Sequence, residues 1–295
     1  MLRKQSLRVP SRDKGELLLT VSARIHVLVA QSASVAVILR RGPSKQVCSI
    51  LWDLKTNKFK LGQWLKGRIY ERRSHISPDG KHMIYFAMNG KWDSETSGSW
   101  TAISKAPYLK AIALYAKGDC WNGGGLFIDN KNYLLNELYA DHKLLHDRSK
   151  LIGKRGVIKG TSYGNNECLG VYYPRLLNEG WNLNRELSSN KIQVFDKKWK
   201  KNFTLRKFAH VGSGRKAGRG VYWDSHALVN PRHEISHGTD WDWADVIKDT
   251  LAWSEGGKLY VLKSARSIDA ETLLKDAKML RDFNPLRFEE IIAPY

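Results

Sequence analysis

One local pattern returns along the whole chain: a short apolar run, a tight polar turn, and a second apolar run. Between Ala23 and Trp64 it yields four strand candidates, "ARIHVLVA", "SVAVILRRG", "QVCSILWDL" and "KFKLGQW", the last two joined by the turn Lys55-Thr56-Asn57. Four runs of that length linked by short turns predict one antiparallel meander. Such a sheet has two unpaired edges and needs neighbours on its faces. Those neighbours are predicted further on. "SHISPDGKHMIYFA" puts Pro78-Asp79-Gly80 between two apolar runs, and "GGGLFIDNKNYLLN" puts Asp129-Asn130 there. "KIQVFDKKWKKNFTL" and "LAWSEGGKLYVLK" repeat the arrangement at Asp196-Lys197 and Gly256-Gly257. "GVYYPRL" and "GVYWDSHAL", each opening Gly-Val-Tyr, run between them. Asp-Gly and Gly-Gly supply the positive-φ positions of hairpin turns. Hairpins recurring about every fifty to sixty residues read as repeated four-stranded sheets, and radial stacking disposes of their edges. The expectation is an all-β chain, a β-propeller of five blades, or of six lean ones.

Residue usage fits that architecture. Eleven tryptophans and twelve tyrosines supply flat side chains for packing between sheets. Trp52, Trp64, Trp121, Trp223 and Trp253, in or beside predicted strands, are expected to fill the space between blades. Helix is scarce. The best candidate is "DAETLLKDAKMLRDF", residues 269–283, with Asp269 as N-cap and Leu273, Leu274, Ala277 and Leu280 on one face.

Residues 1–20 read as a basic, partly ordered lead-in, and 21–295 as a single propeller domain. No run approaches the eighteen or so apolar residues of a membrane helix. Three scattered cysteines, Cys48, Cys120 and Cys168, without a CxxC pair, fit reduced, buried thiols in a cytoplasmic protein.

"WDLKTNKFKLGQW" resembles the outer hairpin of a WD40-type blade, and "HISPDGKHMIYFA" resembles the Ser-Pro-Asp-Gly hairpin of TolB-like propeller repeats. The order of four longer pieces resembles a family of uncharacterised bacterial proteins with propeller-like repeats. They are "RIYERRSHISPDGKHMIYFA", "WTAISKAPYLKAIALYAKGDCWNGGGLF", "DWDWADVIKDTLAWSEGGKLY" and "DFNPLRFEEIIAP". Together they cover about a third of the chain. The resemblance implies the fold and carries no activity with it.

Residues 233–237 spell His-Glu-Ile-Ser-His, the string with which zinc peptidases present two ligands and a base from one helix. Such a site needs several helical residues on either side. Here Pro231 precedes the string, Gly238 follows it, and "GTDWDWAD" continues with turn formers. The expectation is no helix, no metal and no catalytic role, and no cofactor is implied elsewhere.

Charge and loop position nominate binding residues instead. "YERRSH" places Arg72, Arg73 and His75 at the start of an inner strand, where loops of a propeller face converge; Asp119 and Trp121 follow another loop. "DWDWAD", with Asp240, Asp242 and Trp243, would suit a sugar, since five-bladed propellers can host glycosidases whose chemistry needs paired carboxylates. The net charge of +20 favours anionic partners. It concentrates in residues 191–220 through Lys197, Lys198, Lys200, Lys201, Arg206, Lys207, Arg215 and Lys216, which would suit a phosphate backbone. With no complete catalytic constellation, the leading expectation is a non-enzymatic platform for a protein partner. A carbohydrate-binding or glycoside-cleaving propeller comes second, and nucleic-acid binding through the basic segment third.

Overall fold

Arg24–Val29 (β1), Val35–Arg41 (β2), Gln46–Asp53 (β3) and Phe59–Lys66 (β4) form the expected meander, in that spatial order. The structure is a computed structural model describing residues 21–43, 45–137, 142–156, 169–200, 203–212, 220–230, 233–235, 241–263 and 275–295. The expected lead-in, residues 1–20, lies outside them.

Four more sheets complete a five-bladed ring. The second blade is built from Arg68–Ile76 (β5), His82–Met88 (β6), Ser99–Lys105 (β7) and Ala111–Ala116 (β8). The third takes Gly125–Phe127 (β9) and Asn132–Asn136 (β10). The chain then returns to the second blade, where Lys143–Asp147 (β11) pairs with β8, before Ile152–Gly156 (β12) joins β10 in parallel. Blades two and three are thus interleaved. A helix, Leu169–Asn178 (α1), precedes the fourth blade. That blade comprises Asn182–Asn184 (β13), Ile192–Trp199 (β14), Phe203–Val211 (β15), Tyr222–Asn230 (β16) and His233–Ile235 (β17). The fifth comprises Trp243–Ile247 (β18), Thr250–Glu255 (β19), Lys258–Leu262 (β20) and Lys278–Asp282 (β21).

The turn chemistry holds at most sites. Gly80 (φ +73°) closes β5–β6, and Gly256 and Gly257 (φ +55° and +78°) close β19–β20. At Asp196-Lys197 the expected turn is displaced: β14 runs straight through both residues. Asp196 is held there by Arg206 on the next strand (2.8 Å) and Lys197 by Asp245 of the fifth blade (2.7 Å), so the two charges act inside the sheet. Two further expectations are corrected. Lys278–Asp282 is a strand, β21, where the second half of the 269–283 helix was expected; residues 269–274 lie outside the described region. Pairing with β20 outweighs the helical spacing of that segment.

The helix sits instead in "GVYYPRL", and only the second Gly-Val-Tyr segment is a strand. Leu169 to Leu176 are all buried in α1, so no polar face marks it as a helix, and Pro174 stands inside it. An apolar run buried all round cannot be told from a buried strand by its period. The placement of α1 explains that burial. It packs on β5, β9 and β13, and Arg175 reaches His26 of β1. A single helix can touch four blades only from the centre of the ring, so α1 plugs the axis.

Among the described residues no strand is exchanged between first and last blades, and side chains join them. Ile25, Val27, Ile38, Ile50 and Trp52 pack with Trp243, Ala252, Leu259 and Phe283. Ser254 Oγ donates to Ile25 O (3.1 Å). The Arg40 guanidinium, 1% exposed, donates to the carbonyls of Phe283 (3.2 Å), Asn284 (3.3 Å), Leu286 (3.4 Å) and Gly42. Arg40→Leu would take away the buried guanidinium these carbonyls share, although Arg287 still donates to Asn284 O (2.9 Å) and Leu286 O (3.3 Å). It is expected to cost about 2 kcal/mol in chemical unfolding; a loss within error of zero would show that apolar packing alone closes the ring.

Candidate functional site

Strand β5 departs from a regular ladder in its middle. Tyr70 pairs with Phe86 and His75 with Ile84, so β5 advances five positions while β6 advances two. Glu71-Arg72-Arg73-Ser74 thus stand against a single residue of β6, and this bulge of three extra residues re-aims its side chains. Arg72 points across the axis to blade four and donates to Asp224 Oδ1 of β16 (2.6 Å). Arg73 turns the other way, onto the rings of Tyr70 and Phe86 (4.9 Å each), and donates to Cys120 O (2.8 Å) and Asn122 O. Gly124 sits against this bend at φ +74°, where a Cβ would stand 1.9 Å from Arg73 O, so only glycine fits.

Beneath the bulge lies a sealed polar core. Tyr172 of α1 donates to Asp224 Oδ2 (2.6 Å), and its ring carries the Arg72 guanidinium at 4.6 Å. Burial alone would push the Asp224 carboxyl up; Arg72 and Lys207 outweigh it and hold it below the usual carboxylate range. Arg175 donates to Glu71 O (2.8 Å), Ser74 O and His26 Nε2 (2.9 Å). Lys207 reaches His226 Nε2 (3.1 Å) and Ala244 O (3.3 Å). Phe127 N–H donates to His75 Nδ1 (3.0 Å). Each of these three imidazoles therefore meets a donor at one nitrogen and stays neutral. Desolvation sets their basicity far down: His75 falls to about 3, and His26 and His226 drop well below the ordinary range. Glu179, one turn beyond Arg175, goes the other way, pushed up by burial to about 7. These groups knit blades one, two, four and five to the axial helix.

Above this core the surface opens. A cavity of about 280 Å³ lies between β5 and the start of β16, lined by Arg68, Tyr70, Glu71, Arg72, Arg73, Val221 and Tyr222. At its mouth the exposed Arg68 guanidinium stacks on Tyr70 (4.4 Å) and, among the described residues, forms no ion pair. Glu71 is tied to Arg41 (3.3 Å); against the upward push of its burial, the charges of Arg41 and Arg68 hold its carboxyl at about 2. The same end of blade two carries two adjoining loops, joined by Ser99 Oγ donating to Asp119 O (2.6 Å) and Lys117 N donating to Ser99 O (3.0 Å). They present Trp92 (52% exposed) and Trp121 (61% exposed), and Val221 stands 61% exposed across the cavity.

Some nominated residues therefore meet and others do not. Arg72 and Arg73 both line the cavity, and Arg73 anchors the loop bearing Asp119 and Trp121. Asp119 itself binds Lys117 Nζ (2.7 Å) and Trp121 N (2.8 Å). Trp121 projects outward and fills no space between blades, a correction to its expected role, because its loop lies beyond the end of β8. His75 is sealed below. In the Trp-Asp segment, Trp243 is 4% exposed and packs in the seam between blades one and five, so it offers no ring to a sugar. Asp242 N donates to Ser254 O (2.8 Å), and Asp240 lies outside the described residues. The basic segment is likewise dispersed. Lys207 is 2% exposed at the axis, Lys197 pairs with Asp245 and Arg206 with Asp196, while Lys198 and Lys200 face outward. Lys201, Arg215 and Lys216 lie outside the described residues. His233-Glu234-Ile235 is strand β17, paired with β16, where a peptidase string would need helix. No group of three or more His, Cys, Asp or Glu side chains among the described residues is placed to hold a metal, and no described helix is long and apolar enough to cross a membrane.

His26, Tyr172, Arg175, Asp224 and His226 were not singled out from the sequence. Their signal was there: each is a polar group inside an otherwise apolar run such as "ARIHVLVA" or "GVYWDSHAL".

No known family profile matches the chain, and no curated protein does. Among solved structures, an uncharacterized protein from Listeria monocytogenes EGD-e is similar at 12% identity and a TM-score of 0.31, covering 82% of this chain. This chain spans 62% of the length of that protein. The β-propeller domain of the Trilobed protease from Pyrococcus furiosus, of open velcro topology, is similar at 12% identity and a TM-score of 0.33, covering 89% of this chain and 99% of that domain. Kuenenia stuttgartiensis hydrazine synthase is similar at 9% identity and a TM-score of 0.30, covering 92% of this chain and 86% of that one.

Proposed function

We propose that the chain is a non-enzymatic binding platform for a protein partner, with the bulge-lined cavity as its recognition site. The observation that carries this reading is the composition of one end of the ring. Tyr70, Tyr222, Arg68 and Val221 line a single concavity there, and the loops bearing the exposed Trp92 and Trp121 lie at the same end of blade two. Tryptophan, tyrosine and arginine supply most of the energy in protein interfaces, clustered round a pocket that excludes water. The buried charges at the axis support the same reading, because they are spent on one another beneath the cavity floor. The Ser77-to-Gly80 hairpin, with Ser77 Oγ donating to Asp79 Oδ1 (2.6 Å), supports a TolB-like repeat type for the blades. Cys48 is buried as expected, whereas Cys120 stands exposed where a buried thiol was expected; a free thiol at the surface supports a reducing, cytoplasmic setting.

A photo-crosslinking residue placed at Val221 and, separately, at Lys200, exposed just past the far end of β14 on blade four, tests the reading in cells. Discrete protein adducts at Val221, absent at Lys200, are expected. Adducts that are the same at both positions, or missing at both, would refute the platform.

A further inference from the structure

The cavity has a chemical preference of its own. Its lining holds three arginines and one glutamate, and that glutamate is already matched by Arg41. Arg72 is matched by Asp224 on the axis, and Arg73 is held by carbonyls of the neighbouring loop. Arg68 is different: it is exposed at the mouth, its flat face rests on Tyr70, and its edge is left to solvent. A guanidinium oriented by an aromatic ring loses little freedom when it grips a planar carboxylate through two parallel hydrogen bonds. The depressed Glu71 carboxyl reports the same positive field from inside the lining.

Size narrows the occupant further. About 280 Å³ falls just below the roughly 300–1,000 Å³ of pockets that enclose small molecules or cofactors. It suits one side chain inserted from a larger body, with Trp92, Trp121 and Val221 left to meet the surface around it. We infer that the cavity receives the carboxylate of an aspartate or glutamate side chain presented by an acidic segment of the partner protein, gripped by Arg68 at the mouth. This rests on the platform reading and adds the partner's chemistry to it.

Fluorescence anisotropy of a dye-labelled oligoglutamate peptide, against its oligoglutamine counterpart, tests the inference on the purified full chain. Because the whole chain is basic, Lys198→Ala serves as a control that removes one exposed charge elsewhere on the ring. Oligoglutamate is expected to bind, oligoglutamine to bind at least about tenfold more weakly, and Arg68→Ala to lose about tenfold in affinity for oligoglutamate. Lys198→Ala should shift it less than about twofold. Three results would overturn the inference: no binding of oligoglutamate, equal binding of the two peptides, or equal losses in Arg68→Ala and Lys198→Ala. Oligothymidylate is the further arm; if it displaces oligoglutamate and its own binding depends on Arg68, the site prefers phosphate and the inference falls. The crosslinking result separates the two failures. Adducts at Val221 without a glutamate preference leave the platform standing, whereas an Arg68-dependent glutamate preference without adducts leaves the carboxylate site and removes the protein partner.

Discussion

Asp224→Ala is expected to destabilise the chain by about 4 kcal/mol, among the largest losses any single surface-preserving substitution would produce here. The carboxylate is 7% exposed and takes Arg72 on one oxygen and Tyr172 on the other, with Lys207 contributing to the field that keeps it ionised. Its removal leaves a buried phenol without its acceptor and a buried guanidinium without its counter-charge. The cost lies in that stranded charge, so removing the charge as well should return part of it. Urea unfolding of Asp224→Ala, Arg72→Met and the double variant forms the cycle. The double variant should lose clearly less than the sum of the single losses. A single-variant loss below about 1 kcal/mol, or simple additivity, would mean that water reaches the axis and screens these charges.

Acid should unfold the ring earlier than its basic composition suggests. His26, His75 and His226 are buried and neutral, each facing a donor, and each has its basicity lowered by desolvation. Unfolded, all three titrate near 6.5, so below that pH the unfolded chain takes up protons that the folded chain refuses. Their contribution is fully present above about pH 6.5 and is lost as pH falls towards the lowered folded values. Glu179 works in the opposite sense. Its folded value of about 7 lies above the unfolded one, so its contribution is present at low pH and lost as pH rises through about 7. Three histidines against one glutamate leave a net loss of about 3 kcal/mol between pH 7 and pH 5. Denaturant unfolding across that range measures it directly, and a stability that stays level or rises towards pH 5 would contradict the neutral assignment. His75→Gln, whose amide oxygen can still accept from Phe127 N–H, should flatten the slope by about 1.4 kcal/mol per pH unit.

The fold was legible wherever local chemistry decides it. Lys55-Thr56-Asn57, Pro78-Asp79-Gly80 and Gly256-Gly257 turn where their residues require a turn, and the first four strands stand where alternation and apolar runs place them. Elsewhere a distant partner decides. Asp196 and Lys197 look like a turn until Arg206 and Asp245 are beside them. "GVYYPRL" looks like a strand because every side of it is covered, and only the ring shows that it fills the axis. The site was half legible for the same reason. Arg72 and Arg73 announce themselves as adjacent charges, but nothing in the string "YERRSH" says that a bulge sends them in opposite directions. The acceptor of Arg72 lies 152 residues away, and that pairing is set by topology alone.

The interleaving of blades two and three has a consequence for descent. Blades one, four and five are each one uninterrupted stretch of chain, so a duplication or deletion at their borders could add or remove a whole sheet without cutting a strand pair. Between blades two and three no such border exists, because β11 belongs to one sheet and lies in sequence between β10 and β12 of the other. Those two sheets can only be inherited together. Any change of blade number among this chain's kin is therefore channelled away from the part of the ring that carries the bulge.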